Sequence, residues 1–556
     1  MGGAVAPTTS TSEPIFQRKN LRPAFLCSIA VLGAVLYGYD GTYFTGILGQ
    51  SGFNRDFAQD GKTELSPSMT SLLTSLVQAG EVVGCILAAF IGDWAGRKGV
   101  FFAAATGVGI GAIFQIATTS SIGVFATGRA ILGVGIGLVA NGTPLYLSEI
   151  APTSIRSIAV SCWQLLLAIG QVIGAAVNQG TKDIDSTAAY RIPIGLNLLI
   201  VLLIFLGLLV LPESPRWLIY KGREDAALKS LRRINKGAPD VAEIVQREFA
   251  LFKQAKEDEE ALNSDGENGW KTMFKGVELR KFLCTFGILV CQQIGGVQFI
   301  FSYTTTFLQA INIEDPFLIT IIVDIIEVVG VICSFFIVNR LGRRTLLLWT
   351  SVPMFISLFV CGGIGTITSG ERTVNESRTI AAMICVYVFF FNVAWGPLAW
   401  VVASELSTGK NKSKHLGVGT AGFFVIAWAV TFTLPYLFYS AGLNAQIGWI
   451  YGVGTLFAMA FVYFCIPETR GRSLEEISEM MDARVPTRQW ASYIASHSVS
   501  NSVVQHSSRD SSSGGSEDEE SAPEKKGAKR DIEPLSAGSN AAHDGTDGTR
   551  TELRDA

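Results

Sequence analysis

Charge is scarce in this 556-residue chain: only 16% of it is Asp, Glu, Lys or Arg, against about 25% in an ordinary soluble domain. The charges that are present lie between long apolar runs that reach the ~20 residues needed to cross a bilayer. Histidine is scarcer still, four in all with three beyond residue 490, and no Cys/His cluster suggests a metal. No phosphate cradle of the form GxxxxGK[ST] occurs, so ATP-driven pumping has no support. No nucleophile and base stand out in a soluble domain, so the chain does not read as an enzyme and implies no cofactor. The nine cysteines sit almost wholly inside apolar segments. An odd number in such places reads as small core residues without a disulfide framework. The first 20 residues are polar and the first apolar run is long enough to remain a span, so no cleavable signal peptide is expected. The net charge of −3 is segregated by topology, and nothing points to a nucleic-acid partner.

What is present is a series of twelve candidate membrane helices: 24–48, 68–92, 99–118, 121–147, 157–178, 190–211, 282–310, 316–338, 345–368, 379–402, 416–438 and 446–466. The expected fold is therefore an all-α membrane protein. Its divisions are a tail (1–22), a six-helix half (23–211), a charged helical linker (212–280), a second half with a short helix after it (281–480) and a second tail (481–556). From about residue 487 the chain is rich in Ser, Asp, Glu, Lys and Gly, which predicts disorder. Arg97, Lys98, Arg156, the many Lys and Arg of 216–281, Arg340, Arg343, Arg344 and Lys410 to Lys414 fall in alternate loops. The positive-inside rule places those loops and both termini in the cytoplasm. It leaves Asn375-Glu376-Ser377, a glycosylation pattern, outside.

The chain also repeats itself. GDWAGRKG (92–99) recurs as NRLGRRTL (339–346), SEIAPTSIR (148–156) as SELSTGKNK (404–412), and PESPR (212–216) as PETRG (467–471). The offsets, 246, 256 and 255 residues, are nearly constant over three unrelated motifs. Two six-helix halves of this kind mark secondary transporters.

Within the second half, QQIGGVQFIFSY (292–303) carries Gln292, Gln293 and Gln298 inside an apolar run. Lipid cannot hydrogen-bond an amide, so these side chains must face protein, water or a ligand. Gly295 and Gly296 loosen the helix between them. Such a wall suits a polyhydroxylated ligand, each amide offering donors and an acceptor; bridging between packed helices is the alternative. Asp40 lies mid-span, where an ionised carboxylate is expensive, and Arg129, opening the fourth span, is its natural partner. Glu81, Asp324 and Glu327 are further carboxylates within spans, the last two on one helix face.

These motifs together resemble the sugar porter family of the major facilitator superfamily over roughly residues 24–480, with a cast most like filamentous-fungal members. The resemblance rests on GYD (38–40), GDWAGRKG, the run from Arg129 through Pro144 to Arg156, PESPRWL (212–218), QQIGGVQ, NRLGRR, GPLAW (396–400) and PETRGRSLEE (467–476). It implies a plasma-membrane monosaccharide carrier, monomeric, working by alternating access with proton symport. A uniporter, a transporter-like sensor signalling through its C-terminal tail, or a carrier of quinate, polyol or disaccharide are the alternatives. It implies sugar contacts from Gln164, Gln292, Gln293, Gln298 and Trp400, with Glu327 where relatives carry Asn. Asp40 and Arg129 would form the proton switch. Arg97, Arg156, Arg343 and Arg344 would pair with Glu149, Glu213, Glu405 and Glu468 across the two halves as a cytoplasmic gate. In the eleventh span the usual polar ligand is replaced by the apolar run Phe423–Val425, with Trp428 near.

Overall fold

The computed structural model describes residues 18–493, except 59–64, 119, 153–155, 239, 265–269, 312, 368–372, 409–410 and 473. Every regular element among them is helical. Eleven stretches are long and apolar enough to cross a membrane: Leu21–Leu48, Pro67–Trp94, Gly96–Ala117, Ile122–Ile150, Ala188–Val210, Gly276–Ala310, Pro316–Val338, Arg343–Gly365, Val374–Leu406, Lys414–Ser440 and Asn444–Cys465. The 26-residue helix Arg156–Thr181 stands between the fourth and fifth of these. In chain order they are spans 1 to 12. Large apolar side chains such as Phe90, Leu209, Trp349 and Phe464 face outwards, which is the expected surface of a protein solvated by lipid.

Helix ends outrun the apolar stretches. Span 7 begins at Gly276 where hydropathy alone starts it at 282, and span 10 runs Val374–Leu406 where hydropathy gives 379–402. Local chemistry explains the extra first turn of span 10, because the first N–H groups of a helix need partners. Thr373 and Glu376 form a reciprocal capping box at the start of span 10, at 3.3 and 2.7 Å. Asp315 caps span 8 by accepting from the Leu318 N–H at 3.2 Å, with Pro316 in the first turn.

Spans 2 and 4 pack backbone to backbone. A Cβ on Gly84 would lie 2.2 Å from the Val134 carbonyl, and one on Gly133 2.3 Å from that of Val77. Spans 1–6 and 7–12 form the two halves, which meet through spans 2 and 11, 5 and 8, and 1 and 7. Between the halves, helices Pro215–Tyr220, Glu224–Ile234 and Val241–Ser264 lie on one face of the bundle. We call that the linker face and the other the far face. Beyond span 12, helix Leu474–Asp482 is followed by a 3₁₀ turn, Thr487–Ser492. Here the expected onset of disorder at 487 is corrected: Trp490 is buried and donates to the Val485 carbonyl at 3.2 Å, while Arg472 donates to the Trp490 and Tyr493 carbonyls. An aromatic anchor inside a polar stretch is invisible to composition. The rest of that tail lies outside the described residues.

Candidate functional site

A cavity of about 320 Å³ lies between the halves at mid-span. Its wall includes Gln164, Gln292, Gln293, Gln298, Glu327 and Trp400, and also Asp40, Arg129 and Glu81. Its lining descends to Leu145, Ser148, Ser404 and Leu416, near the linker-face ends of spans 4, 10 and 11.

Span 7 breaks where the two glycines stand. Its helix stops at Ile294 and resumes at Val297, with Gly296 at φ +86, a left-handed conformation that favours glycine. The Gly295 carbonyl freed by the break accepts from the Tyr387 hydroxyl at 2.8 Å and from Thr455 at 3.4 Å. Just before the break, Gln292 is buried and donates to the carbonyls of Trp395 and Gly396 at 2.8 and 3.2 Å. Those carbonyls sit at the C-terminal end of a π-helical turn, Phe391–Trp395, ahead of Pro397, which has no N–H to keep the α-helical ladder. The side-chain oxygens of Gln292 and Gln293 are buried without a partner. Gln298 is half-buried and accepts from Ser302 at 3.3 Å. Trp400 packs on Phe423, ring centroids 5.0 Å apart.

On the facing wall, Asp40 and Arg129 form an ion pair at 3.2 Å, the two side chains 5% and 3% exposed. Arg129 also donates to the Tyr43 hydroxyl at 3.0 Å and to the Leu73 carbonyl at 3.3 Å, and its guanidinium lies 3.8 Å from the Phe44 ring centre. The arginine thus keeps three other partners should Asp40 lose its charge. Tight packing sets the aspartate's position: a Cβ on Gly38 would lie 1.9 Å from the Leu167 carbonyl of span 5. Across the chamber, Glu327 is 1% exposed. With its amide nitrogen towards the carboxylate, Gln171 of span 5 donates to both Glu327 oxygens, at 3.0 and 2.5 Å. Asp324, one turn back, is buried outside the chamber wall with one carboxylate oxygen unpartnered.

At the linker face the repeated motifs build the same device twice. Gly96 (φ +80) and Gly342 (φ +89) each turn the chain into a helix, span 3 or span 9. A Cβ would lie 2.5 Å from the Glu213 carboxylate in one and 2.7 Å from that of Glu468 in the other. Glu213 accepts from the N–H groups of Arg97 and Lys98, and Glu468 from those of Arg343, Arg344 and Thr345. Both carboxylates therefore cap a helix N-terminus. Burial holds Glu213 above the usual carboxylate range, the backbone N–H groups offsetting only part of the rise. The pattern closes with Arg97–Glu149 at 2.7 Å and Arg343–Glu405 at 3.4 Å. Each pair lies within one half in this conformation, where the sequence reading has them crossing between halves. The Arg344 guanidinium meets the Tyr463 carbonyl, and the Arg156 side chain lies outside the described residues.

Among the described residues, the hydrogen bonds joining the halves near their ends gather at the far face. Lys182 pairs with Asp315 at 2.6 Å, Gln179 donates to the same oxygen at 3.2 Å, Gln309 donates to the Gly49 carbonyl at 2.9 Å, and Ser71 to the Phe432 carbonyl at 2.5 Å. Burial would raise the Asp315 carboxyl. Hydrogen bonds from Lys182, Gln179 and the Leu318 N–H outweigh it and hold the group below its ordinary 3.8.

A broken amide-bearing span, a buried ion pair opposite it and a twice-built linker-face lock are the features on which the chain can be compared with known proteins. The family model described as "Sugar (and other) transporter" matches residues 26–481. The chain belongs to the sugar porter family of the major facilitator superfamily. It is 31% identical to the "Low-affinity glucose transporter HXT3" of Saccharomyces cerevisiae over 84% of this chain and 83% of that protein. Against the "Probable glucose transporter rco-3" of Neurospora crassa, identity is 32% over 83% and 79%. Among solved structures, the inward-open xylose transporter XylE of E. coli superposes with a TM-score of 0.67, at 24% identity, over 82% of this chain and 99% of that one. At that identity the likeness speaks for the fold. The chain is thus a multi-pass membrane transporter with the twelve-helix architecture.

Several residues of this sugar porter escaped sequence reasoning. Gln171 lines the chamber seven residues after Gln164; two helical turns put both amides on one face, a spacing that was there to be read. Gln78 of span 2 also lines the chamber. Phe423 and Phe424 occupy the wall where the family's polar ligand is expected. Trp428 is corrected: it is 38% exposed, stacks on Phe432 and lies off the chamber wall. Asn375 is exposed in the first turn of span 10, inside the capping box.

Proposed function

We propose that this transporter carries a monosaccharide, a hexose or pentose, across the plasma membrane by alternating access, with a proton moving alongside through Asp40 and Arg129. The observation that carries the reading is the buried Asp40–Arg129 pair, 3.2 Å long, on the wall of a chamber whose other wall is a glutamine-bearing broken helix. The glucose transporters among its relatives support the substrate class.

With the basic loops in the cytoplasm, the linker face is the inner one. The far face is then closed outside, and this conformation presents the chamber inwards. In the outward-facing form the linker-face arginines and glutamates would meet across the halves and shut the inner side. Protonation of Asp40 from outside weakens its hold on Arg129, which passes to Tyr43, Phe44 and the Leu73 carbonyl. With sugar held by the amides, the loaded halves then rock inwards. One proton crossing ~100 mV supplies about 2.3 kcal/mol and one pH unit adds about 1.4, enough for accumulation of several hundred-fold. The test is uptake of labelled glucose, xylose, a polyol and quinate in cells lacking their own sugar carriers, with and without a protonophore. Accumulation of a monosaccharide that the protonophore collapses supports symport. Equilibration unaffected by it makes the protein a uniporter, and no uptake beside a tail-dependent signal makes it a sensor.

A further inference from the structure

Spans 9 and 12 enclose a groove of about 480 Å³ on the outer side of the second half, away from the chamber. Its wall includes Trp349 and Val352 of span 9 and Met459, Ala460, Tyr463 and Phe464 of span 12. All of these but Met459 are exposed, so the groove opens towards lipid. Ala460 is the small residue among large neighbours, which is what leaves the hollow. An apolar outer surface is ordinary in a membrane protein. What sets this groove apart is its mouth at the linker face.

Tyr463 lies in the last turn of span 12 and Arg344 in the first turn of span 9. Arg344 donates to the Tyr463 carbonyl at 2.7 Å, and its guanidinium lies 5.6 Å from the Tyr463 ring centre. Arg488, from the 3₁₀ turn that Trp490 anchors, brings a second guanidinium to 4.7 Å from the same ring centre. Among the described residues neither guanidinium has an acidic partner, and the Arg344 Nε is buried without a hydrogen-bond acceptor. The Glu468 carboxylate, close by, is taken up by backbone N–H groups. Two cations therefore share one ring at the rim of an apolar groove, where like charges repel and no protein anion balances them. The other half does not repeat the arrangement: the repeat offsets put Lys98 where Arg344 stands and a buried Leu208 where Tyr463 stands. The shared scaffold thus gives no reason for it.

We propose that this groove binds an anionic phospholipid, its phosphate between Arg344 and Arg488 and an acyl chain along Ala460 and Trp349. The ligand needs both parts. A free phosphate would satisfy the arginines and leave the groove empty; a neutral lipid would fill the groove and leave the arginines unpaired. Guanidinium groups suit the task, because their planar fork matches phosphate oxygens. With the basic loops in the cytoplasm, the mouth opens at the anionic leaflet, where basic pockets between spans take lipid headgroups. Arg488 follows span 12 and Arg344 opens span 9, so one phosphate would staple the anchored turn to the start of span 9.

The test titrates full-length protein in neutral detergent with phosphatidylserine or phosphatidylcholine, counting bound lipid by native mass spectrometry, with inorganic phosphate as competitor. The wild type should hold phosphatidylserine about thirtyfold more tightly than phosphatidylcholine. Arg488→Gln should weaken phosphatidylserine about fivefold, and Arg344→Gln added to it about thirtyfold, with phosphatidylcholine unmoved. Ala460→Phe, which fills the groove from an exposed position, should weaken phosphatidylserine with both arginines in place. Should the double arginine variant fail to fold, Arg488→Gln, Ala460→Phe and the wild-type headgroup comparison still decide. Equal affinity for the two lipids overturns the proposal. So does phosphatidylserine binding unmoved in Arg488→Gln and Ala460→Phe, which would place the lipid elsewhere. Inorganic phosphate displacing the lipid at equal concentration would make the mouth an ion site without the groove, and that too overturns it. The readout is lipid, so the outcome is independent of which sugar is carried.

Discussion

The two halves share a scaffold and divide the chemistry. At the linker face they are near copies: a left-handed glycine, a glutamate capping the next helix, and an Arg–Glu pair beside it, built from Gly96, Glu213, Arg97 and Glu149 in one half and Gly342, Glu468, Arg343 and Glu405 in the other. At the chamber they differ. The first half presents an ion pair wrapped by Tyr43, Phe44 and the Leu73 carbonyl, beside Gln78, Gln164 and Gln171; the second presents Gln292, Gln293 and Gln298 around a glycine break, beside Glu327. What persists in both halves is therefore the linker-face device, and what has diverged is the chamber wall, which under the proposed function parts charge coupling from ligand recognition.

The largest effect should come from breaking the charged wall. Arg129→Leu leaves Asp40 buried without its cation, and removing one partner of a buried pair costs about 3–5 kcal/mol. A lowered melting temperature in detergent, with transport lost, is the expected result. Asp40→Asn combined with Arg129→Leu should recover most of the stability without restoring uphill transport. The amide wall should respond differently. Gln292→Leu removes two hydrogen bonds to span 10 and the proposed sugar contact, and should weaken apparent sugar affinity by about 10- to 100-fold. Whatever uptake remains should still respond to a protonophore, and loss of that response would erase the division between the halves.

The shared scaffold predicts smaller and ranked costs. Loss of a helix cap is worth about 0.5–2 kcal/mol. Glu468 serves three N–H groups at the start of span 9 and Glu213 two at the start of span 3. Glu468→Ala should therefore lower the melting temperature more than Glu213→Ala. The smallest effect concerns the far face. Because Asp315 is held below its ordinary 3.8, its contribution is present above that value and fades only as pH falls through the lower folded value. Closure read by cross-linking cysteines placed at Gly49 and Gln309 should thus be flat from about pH 7 to about pH 5, whereas Asp315→Asn should reduce it throughout.

Much of this was legible in the chain because the lipid environment makes polarity expensive. Any buried amide or carboxylate stands out against apolar neighbours, which is why Gln292, Gln293, Asp40 and Arg129 could be named before their positions were known, whereas Gln164 and Trp400 came from the family resemblance. The glycine break in span 7 followed from two adjacent glycines. What stayed hidden depends on packing direction rather than composition. Trp428 and Trp400 look equivalent as letters, but only helix rotation reveals that one stacks on Phe432 off the chamber wall and the other lines the chamber. The far-face contacts pair loop residues such as Lys182 and Asp315, 133 positions apart and in no repeated motif. Pairing within each half was hidden too, because a charge motif names its partners without saying which conformation joins them.

The coupling role of the charged wall can be tested directly in proteoliposomes containing the purified full-length chain, with labelled glucose outside and an inward proton gradient imposed. The wild type should concentrate the sugar above its outside level until a protonophore is added. Asp40→Asn should still exchange labelled for unlabelled sugar across the membrane yet never concentrate it. Equal concentration by both proteins would contradict the account, as would a wild type that moves no sugar under any gradient.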